Sequence, residues 1–183
     1  MQIELEKPKM DMSSHGDCWD PCWADDNHMY VCSDDTRGFN DQPPRNLQIH
    51  VLRGNSTDNL LGETCNNMDE YGTMSSRGPD GCMWKANGIN CVDGILYAFV
   101  SRHEVDAFCN PEKRDLSKYQ TAINSSLILS KDKGKTWQRS AQDNYDKPMF
   151  PGRRLGSPFF IKYGKNGKGN AHQADKYVYI VSN

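Results

Sequence analysis

What limits this chain most is its supply of short apolar segments, each too brief for a helix and each fenced by turn-forming residues. "HMYVCS" (28–33), "LQIHVL" (47–52), "ILYAFVS" (95–101), "SSLILS" (125–130), "SPFFIKYG" (157–164) and "KYVYIVS" (176–182) are rich in aromatic and β-branched side chains. Clusters of glycine, proline, asparagine and aspartate separate them, as expected of strands joined by tight turns. Leu47, Ile49 and Val51 alternate with Gln48 and His50, the period of a strand with one buried face. "ILYAFV" is apolar on both sides and predicts burial on both. An all-β chain follows. Helix is expected only as a turn or two in "NPEKRDLSKY" (110–119), where Asn110 can cap and Pro111 takes the first helical position.

The order of segments repeats. "CWADDNHMYVCSDD" (22–35), "NCVDGILYAFVSRH" (90–103) and "FIKYGKNGKGNAHQADKYVYIVSN" (160–183) each place a strand, a polar turn and then a strand carrying tyrosine. This predicts small antiparallel sheets built one after another, over approximately 17–75, 83–145 and 153–183. The length of 183 residues suits one domain, which at this size removes roughly 70% of its surface from water. With 22 basic against 24 acidic residues and a net charge of -2, dispersed in sign, no broad field favours nucleic acid or an anionic membrane. No apolar stretch approaches the roughly 20 residues that cross a bilayer. The N-terminal "MQIELEKPKMDMSSHG" lacks the apolar core of a signal peptide, which by that criterion reads as cytoplasmic. Seven cysteines (Cys18, Cys22, Cys32, Cys65, Cys82, Cys91, Cys109) form no C-x-x-C pair, so partly buried thiols are expected rather than a zinc ribbon, reduced in a cytoplasmic chain or joined in one or two disulfides in an exported one.

The stretch "SKDKGKTW" (130–137) places Ser130, Asp132, Gly134, Thr136 and Trp137 in the pattern S-x-D-x-G-x-T-W. These residue types suit a hairpin turn. The aspartate can accept backbone N–H groups, the glycine supplies positive φ, the hydroxyls hold the strand ends and the indole packs between sheets. Asp132 is therefore read as structural, since closing the turn uses every atom the pattern specifies. The pattern resembles the Asp-box of the sialidase-like and sortilin-like β-propellers. "GDCWDPCWADD" (16–26) followed by "MYVCSDD" resembles the first blade of bacterial and fungal glycosidase-like propellers. The resemblance implies a β-propeller of four-stranded antiparallel blades, with the Asp-box between the third and fourth strands. "LRGNSTDNLLGET" (52–64) is at most a decayed second copy. The segments supply two blades and half of a third, where a closed ring needs at least four, so an incomplete ring is expected. Glycan-processing relatives are often exported, which sets family resemblance against the missing leader.

In such a blade the loops into the innermost strand and after the second strand share one face, opposite the Asp-box hairpin. Here those are 13–21, 77–85 and 149–156, with 33–39 and 101–106. They direct Asp17, Asp20, Asp34, Asp35, Arg37, Lys85, Arg102, His103, Glu104, Arg153 and Arg154 toward a central channel, beside Trp19 and Trp84. Carboxylates, cations and flat aromatic faces together suit a sugar, particularly an acidic one. Asp17 or Asp20 is the candidate general acid, Asp35 its partner and His103 a candidate base. Trp19, Arg37, Trp84, Lys85, Arg102 and Arg153 are the candidate substrate contacts. Each has a plainer use: Asp17 and Asp20 can cap a turn before Pro21, Asp34 and Asp35 can close an Asx-turn, and Arg37 can form a surface ion pair. His103 and His15 can be solvated loop histidines, and both tryptophans can be core. Of the neighbours Arg153 and Arg154, only one faces the channel. No cofactor is predicted. The aspartate pairs offer calcium a foothold, but no EF-hand loop is present. No P-loop is found, while "NSTD" (55–58) and "NSSL" (124–127) match N-glycosylation acceptors. Two readings stand. One is a carbohydrate-active enzyme, glycoside hydrolase-like or uronate-processing; the other is a non-catalytic, sortilin-like propeller that binds or scaffolds. The partner expected is an oligo- or polysaccharide.

Overall fold

The computed structural model describes residues 13–55, 59–104, 121–139, 147–168 and 177–182. The expected helical turn at 110–119 and Cys109 lie outside these. The described chain is all-β. Strands β1 (Ser14–Trp23), β2 (Met29–Phe39), β3 (Arg45–Arg53) and β4 (Leu61–Asn66) form one antiparallel sheet in chain order. Strands β5 (Met83–Val92), β6 (Ile95–Glu104), β7 (Thr121–Ser130) and β8 (Phe150–Pro151) form a second in the same order. A two-stranded sheet pairs β9 (Phe159–Phe160) with β10 (Ile180–Val181). Among the described residues there is no α-helix, and no helix is long and apolar enough to cross a membrane.

Local chemistry accounts for the hairpins. Between β5 and β6 the two-residue turn Asp93-Gly94 has φ of 48° and 78°, the left-handed pair that matches the twist of the flanking strands. Between β1 and β2 the Asp26 carboxylate accepts the His28 N–H at 3.1 Å and the Tyr30 hydroxyl at 2.8 Å, while Asn27 supplies a φ of 66°.

Several segments expected to be loops are strand. Residues 14–21 belong to β1 and 83–85 to β5, and the stretches 33–39 and 101–104 continue β2 and β6. The cause in β1 is irregular pairing: its register with β2 shifts between His15 and Asp17 and again between Asp17 and Asp20, and most of its residues are exposed. A bulged, one-sided strand carries no period-2 apolar pattern to read. The second sheet also runs past residue 145, because Phe150 and Pro151 pair with Ser125 and Asn124.

The two large sheets share one core. Tyr30, Cys32, Leu47, Ile49 and Val51 from the first meet Ala86, Ile89, Cys91, Leu96, Ala98, Val100 and Ile128 from the second, all buried. Among the described residues, Cys22, Cys32, Cys82 and Cys91 are buried thiols and Cys65 is half-buried, small hydrophobes in the core. The β9 segment closes on Gly88: a Cβ there would stand 3.0 Å from the Phe159 Cα and the Phe160 nitrogen, so no side chain fits. Phe160 then stacks on Phe99 with ring centroids 4.7 Å apart.

Candidate functional site

The hairpin 130–137 is closed by its own side chains. Asp132 Oδ1 accepts the Thr136 N–H at 2.9 Å and the Ser130 hydroxyl at 2.9 Å, and Asp132 Oδ2 accepts the Thr136 hydroxyl at 2.6 Å. The Ser130 oxygen accepts the Gly134 N–H at 2.8 Å, and Trp137 Nε1 donates to the Gly134 carbonyl at 3.1 Å. These bonds hold the Asp132 carboxyl below its ordinary range, the Thr136 contacts first among the causes. Leu129 and Gln138 exchange backbone bonds across the turn, and Trp137 lies partly buried against the shared core. Asn66 of the first sheet donates to the Gly134 and Lys135 carbonyls at 3.1 and 2.8 Å.

Away from that hairpin, the bulged start of β1, the end of β2 and the start of β5 bring titratable groups together. Asp17 and Asp34 face each other in register across β1 and β2. One carboxylate oxygen of each, with the Cys18 sulfur, lies within 4.8 Å of the others. Asp17 is exposed, whereas Asp34 is buried. Asp34 Oδ1 accepts the Ala86 N–H of β5 at 2.9 Å, and Lys85 Nζ stands 3.3 Å from Oδ2. The same ammonium meets Asp35 Oδ2 at 2.5 Å. Burial pushes the Asp34 carboxyl up to about 7 even though Lys85 and the Ala86 N–H pull it down. For Lys85, burial opposes the charge, but Asp34 and Asp35 outweigh it and hold the ammonium above the ordinary lysine range. Burial and the neighbouring carboxylates of Asp17 and Asp34 push the Cys18 thiol up to about 11, so it stays protonated and a poor nucleophile. Cys18 and Asp35 both hold positive φ, 50° and 39°, a costly backbone for residues with side chains and one often stored at functional sites.

Other residues expected at the rim are occupied elsewhere. Asp20 Oδ2 accepts the Ile89 N–H at 2.8 Å, and Oδ1 receives Lys162 at 2.5 Å. Arg102 is fully buried, paired with Asp80 through Nε at 3.1 Å and through Nη2, which also donates to the Cys82 carbonyl at 3.0 Å. Its guanidinium lies 4.3 Å over the ring of Trp84, itself buried and edge-on to Tyr71. Trp19 packs on Phe39 and His50, with centroids 5.4 and 4.7 Å away. Arg37 is exposed 3.5 Å from Asp41, and Arg153 is exposed 4.0 Å from Glu104. Arg154 is exposed, and His15 is exposed with its carbonyl accepting the Thr36 hydroxyl at 2.7 Å. His103 Nε2 lies 2.9 Å from the Ser101 hydroxyl, which also accepts from Asn87 Nδ2 at 2.9 Å.

Three residues carry weight that sequence reasoning did not assign. Asp34 stood among the rim residues without a role, Asp80 was unmarked inside a "GPDG" turn, and His50 read only as the polar half of a strand. His50 is fully buried between Ser33 Oγ at 2.6 Å and Thr64 Oγ1 at 3.1 Å, and burial pushes its pKa down to about 3. Of the two glycosylation patterns, Asn124 is buried in β7 and Asn55 is exposed at the tip of the β3–β4 hairpin. Compared with known proteins, the chain matches no protein-family profile, no curated protein and no solved structure.

Proposed function

We propose that the two four-stranded sheets and the two-stranded one are successive blades of a sialidase-superfamily β-propeller whose 130–137 hairpin is an Asp-box, and that the chain is glycoside hydrolase-like. The observation that carries the chemistry is the Asp17–Asp34 pair. One oxygen of each stands no more than 4.8 Å from one of the other, a separation that does not exceed the roughly 5 Å at which two carboxyls work as nucleophile and acid in retaining enzymes. The buried member is held at about 7 and can keep a proton near neutral pH, while the exposed one can meet a sugar as carboxylate. Asp34 then protonates the leaving oxygen and Asp17 attacks or stabilises from the solvent side. Lys85 fixes Asp34 and Asp35 in place.

A second reading draws on the residues already spoken for. Asp20, Trp84 and Arg102 are engaged within the molecule, and Asp34 also seals a strand edge, which supports a sortilin-like module that docks a glycan without cleaving it. One experiment separates the two. A polysaccharide panel is screened for release of reducing sugar or unsaturated uronate, and for binding, with wild type and with Asp34→Asn, Asp17→Asn and Asp20→Asn. Hydrolysis predicts turnover that falls at least about 100-fold in the first two variants, the usual scale for losing an acid or nucleophile. Asp20→Asn should retain turnover per folded molecule while melting earlier. Binding with no turnover by any protein favours the docking module.

A further inference from the structure

The last sheet leaves an apolar strand edge open. Among the described residues β10 pairs with β9 alone, whereas each large sheet holds four strands. The Ile161 N–H donates to the Tyr179 carbonyl at 2.9 Å, so the Tyr179 backbone faces β9. Strand alternation then turns the N–H and carbonyl groups of Val178 and Ile180 to the other side, toward the open edge. The run "YVYIVS" (177–182) holds no charge, proline or glycine and is aromatic or β-branched up to its final serine, a composition that pairs readily. Tyr177 is 69% exposed and Val181 54%, and Val178 and Tyr179 are exposed beside them. Phe159, Ile161 and Tyr163 continue this exposed apolar surface, with the Tyr163 and Tyr179 ring centroids 6.2 Å apart.

The edges of the large sheets are built differently. β1 carries two register shifts and Pro21, and β4 carries a register shift and the charged pair of Glu63 with Arg53. In β5 the bulge exposes the Ala86 and Ile89 N–H groups, which Asp34 and Asp20 occupy, and β8 ends on Pro151. Bulges, prolines and charges are what discourage a further strand from adding to an edge, and β10 has none of them.

We propose that β10 is a self-association edge, joining two copies of the chain by antiparallel β10–β10 pairing about a two-fold axis at Tyr179. The sequence is self-complementary in that register, as a two-fold contact requires. Val178 stands opposite Ile180 of the second copy, and both turn their backbone groups outward, so they exchange hydrogen bonds. Tyr177 stands opposite Val181 of the second copy and Tyr179 opposite its own counterpart, so each cross-strand pair is aromatic or β-branched and no like charges meet. The product is a four-stranded sheet, the size of the other two. At roughly 150–250 Å² for a whole aromatic side chain, the exposed parts of the apolar residues named here offer on the order of 600 Å² per copy. Covering them on both copies approaches the roughly 1,200 Å² at which specific interfaces begin, so the dimer is weak and reversible. This inference is independent of the glycan reading.

The test is sedimentation velocity on the full chain across a dilution series, comparing wild type with Val178→Pro and Leu61→Ser. Proline at 178 removes an N–H that faces the open edge and spares the pairing with β9. The expected result is a monomer–dimer equilibrium whose midpoint moves to at least about tenfold higher concentration in Val178→Pro. It should stay in place in Leu61→Ser, which removes an exposed apolar side chain from β4. Should the proline variant not fold, cysteine trapping decides: Tyr179→Cys should form an interchain disulfide on mild oxidation, because Cα atoms facing each other in such a pair lie about 4.5 Å apart. Val181→Cys, which faces Tyr177, should crosslink no more than wild type. A wild type that stays monomeric at every concentration overturns the inference. So does growth into open-ended oligomers, or a dimer that Val178→Pro leaves unchanged and Tyr179→Cys does not trap.

Discussion

Asp20 and Asp34 do parallel work at the two sides of a bulge in β5. Register with β6 slips between Ala86 and Ile89, and the N–H groups of those two residues are taken by Asp34 and Asp20 respectively. Each carboxylate also meets a lysine, Lys85 or Lys162. The difference is burial, and burial sets the sign of the pH response. Asp34 is raised in the folded protein from 3.8 to about 7, so its contribution to stability is present below about 3.8 and is lost as pH rises toward 7. His50 is lowered from 6.5 to about 3, so its contribution is present above 6.5 and is lost as pH falls toward 3. The two slopes oppose each other across the acidic range. Asp34→Asn removes the falling one, and the variant's stability relative to wild type should therefore improve steadily from pH 4 to 7. A thermal melting series across that range checks it, and a constant difference would count against the assignment. The carboxylates themselves were legible as residue types in "DCWDP" and "CSDD". Which of them is buried was not, because Asp34 is sealed by a strand 52 positions away along the chain.

At the scale of elements, the 130–137 hairpin and the β5–β6 turn follow from short-range chemistry. A serine, an aspartate and a threonine within seven residues can bond one another whatever surrounds them, so this turn was readable before any fold was known. Gly134 is the exception within it. Its φ is 84°, and an added Cβ would meet Cys65 Sγ at 3.3 Å and Ile49 at 3.5 Å, both from the first sheet. Gly134→Ala is expected to cost about 1–3 kcal/mol, from the left-handed backbone and the crowded neighbours together. Asp132→Ala should cost about 1–2 kcal/mol, from the lost turn bonds to the exposed Thr136 and from the Ser130 hydroxyl left buried without its acceptor. The exposed Lys135→Ala should stay within about 0.5 kcal/mol. Urea unfolding of the three variants ranks them, and an equal effect at Lys135 would argue that the turn is not a specific element. The ends of β1 and β5 are legible as the strands that precede polar turns, but their first parts, with Asp17, Trp19, Trp84 and Lys85, read as loop because bulges break the alternation.

For the molecule as a whole, one core spans both large sheets, so they should unfold together. Ile89 is fully buried among residues of the two sheets. Ile89→Ala should destabilise by about 2–5 kcal/mol, and hydrogen exchange should quicken in β2 and β3 as well as in β6. Faster exchange confined to the second sheet would instead show two independent units. By itself, the sequence determined that the chain is all-β and where its tightest turns fall, because each of these depends on residues within a few positions of one another. Only the tertiary structure decided that Arg102 and Trp84 are buried on Asp80 and Tyr71, that Asp20 reaches Lys162 across 142 positions, and that Asp17 faces Asp34. Those outcomes turn on which charges are stripped of water and which remain wet. That is a property of packing between distant segments, which local pattern does not encode.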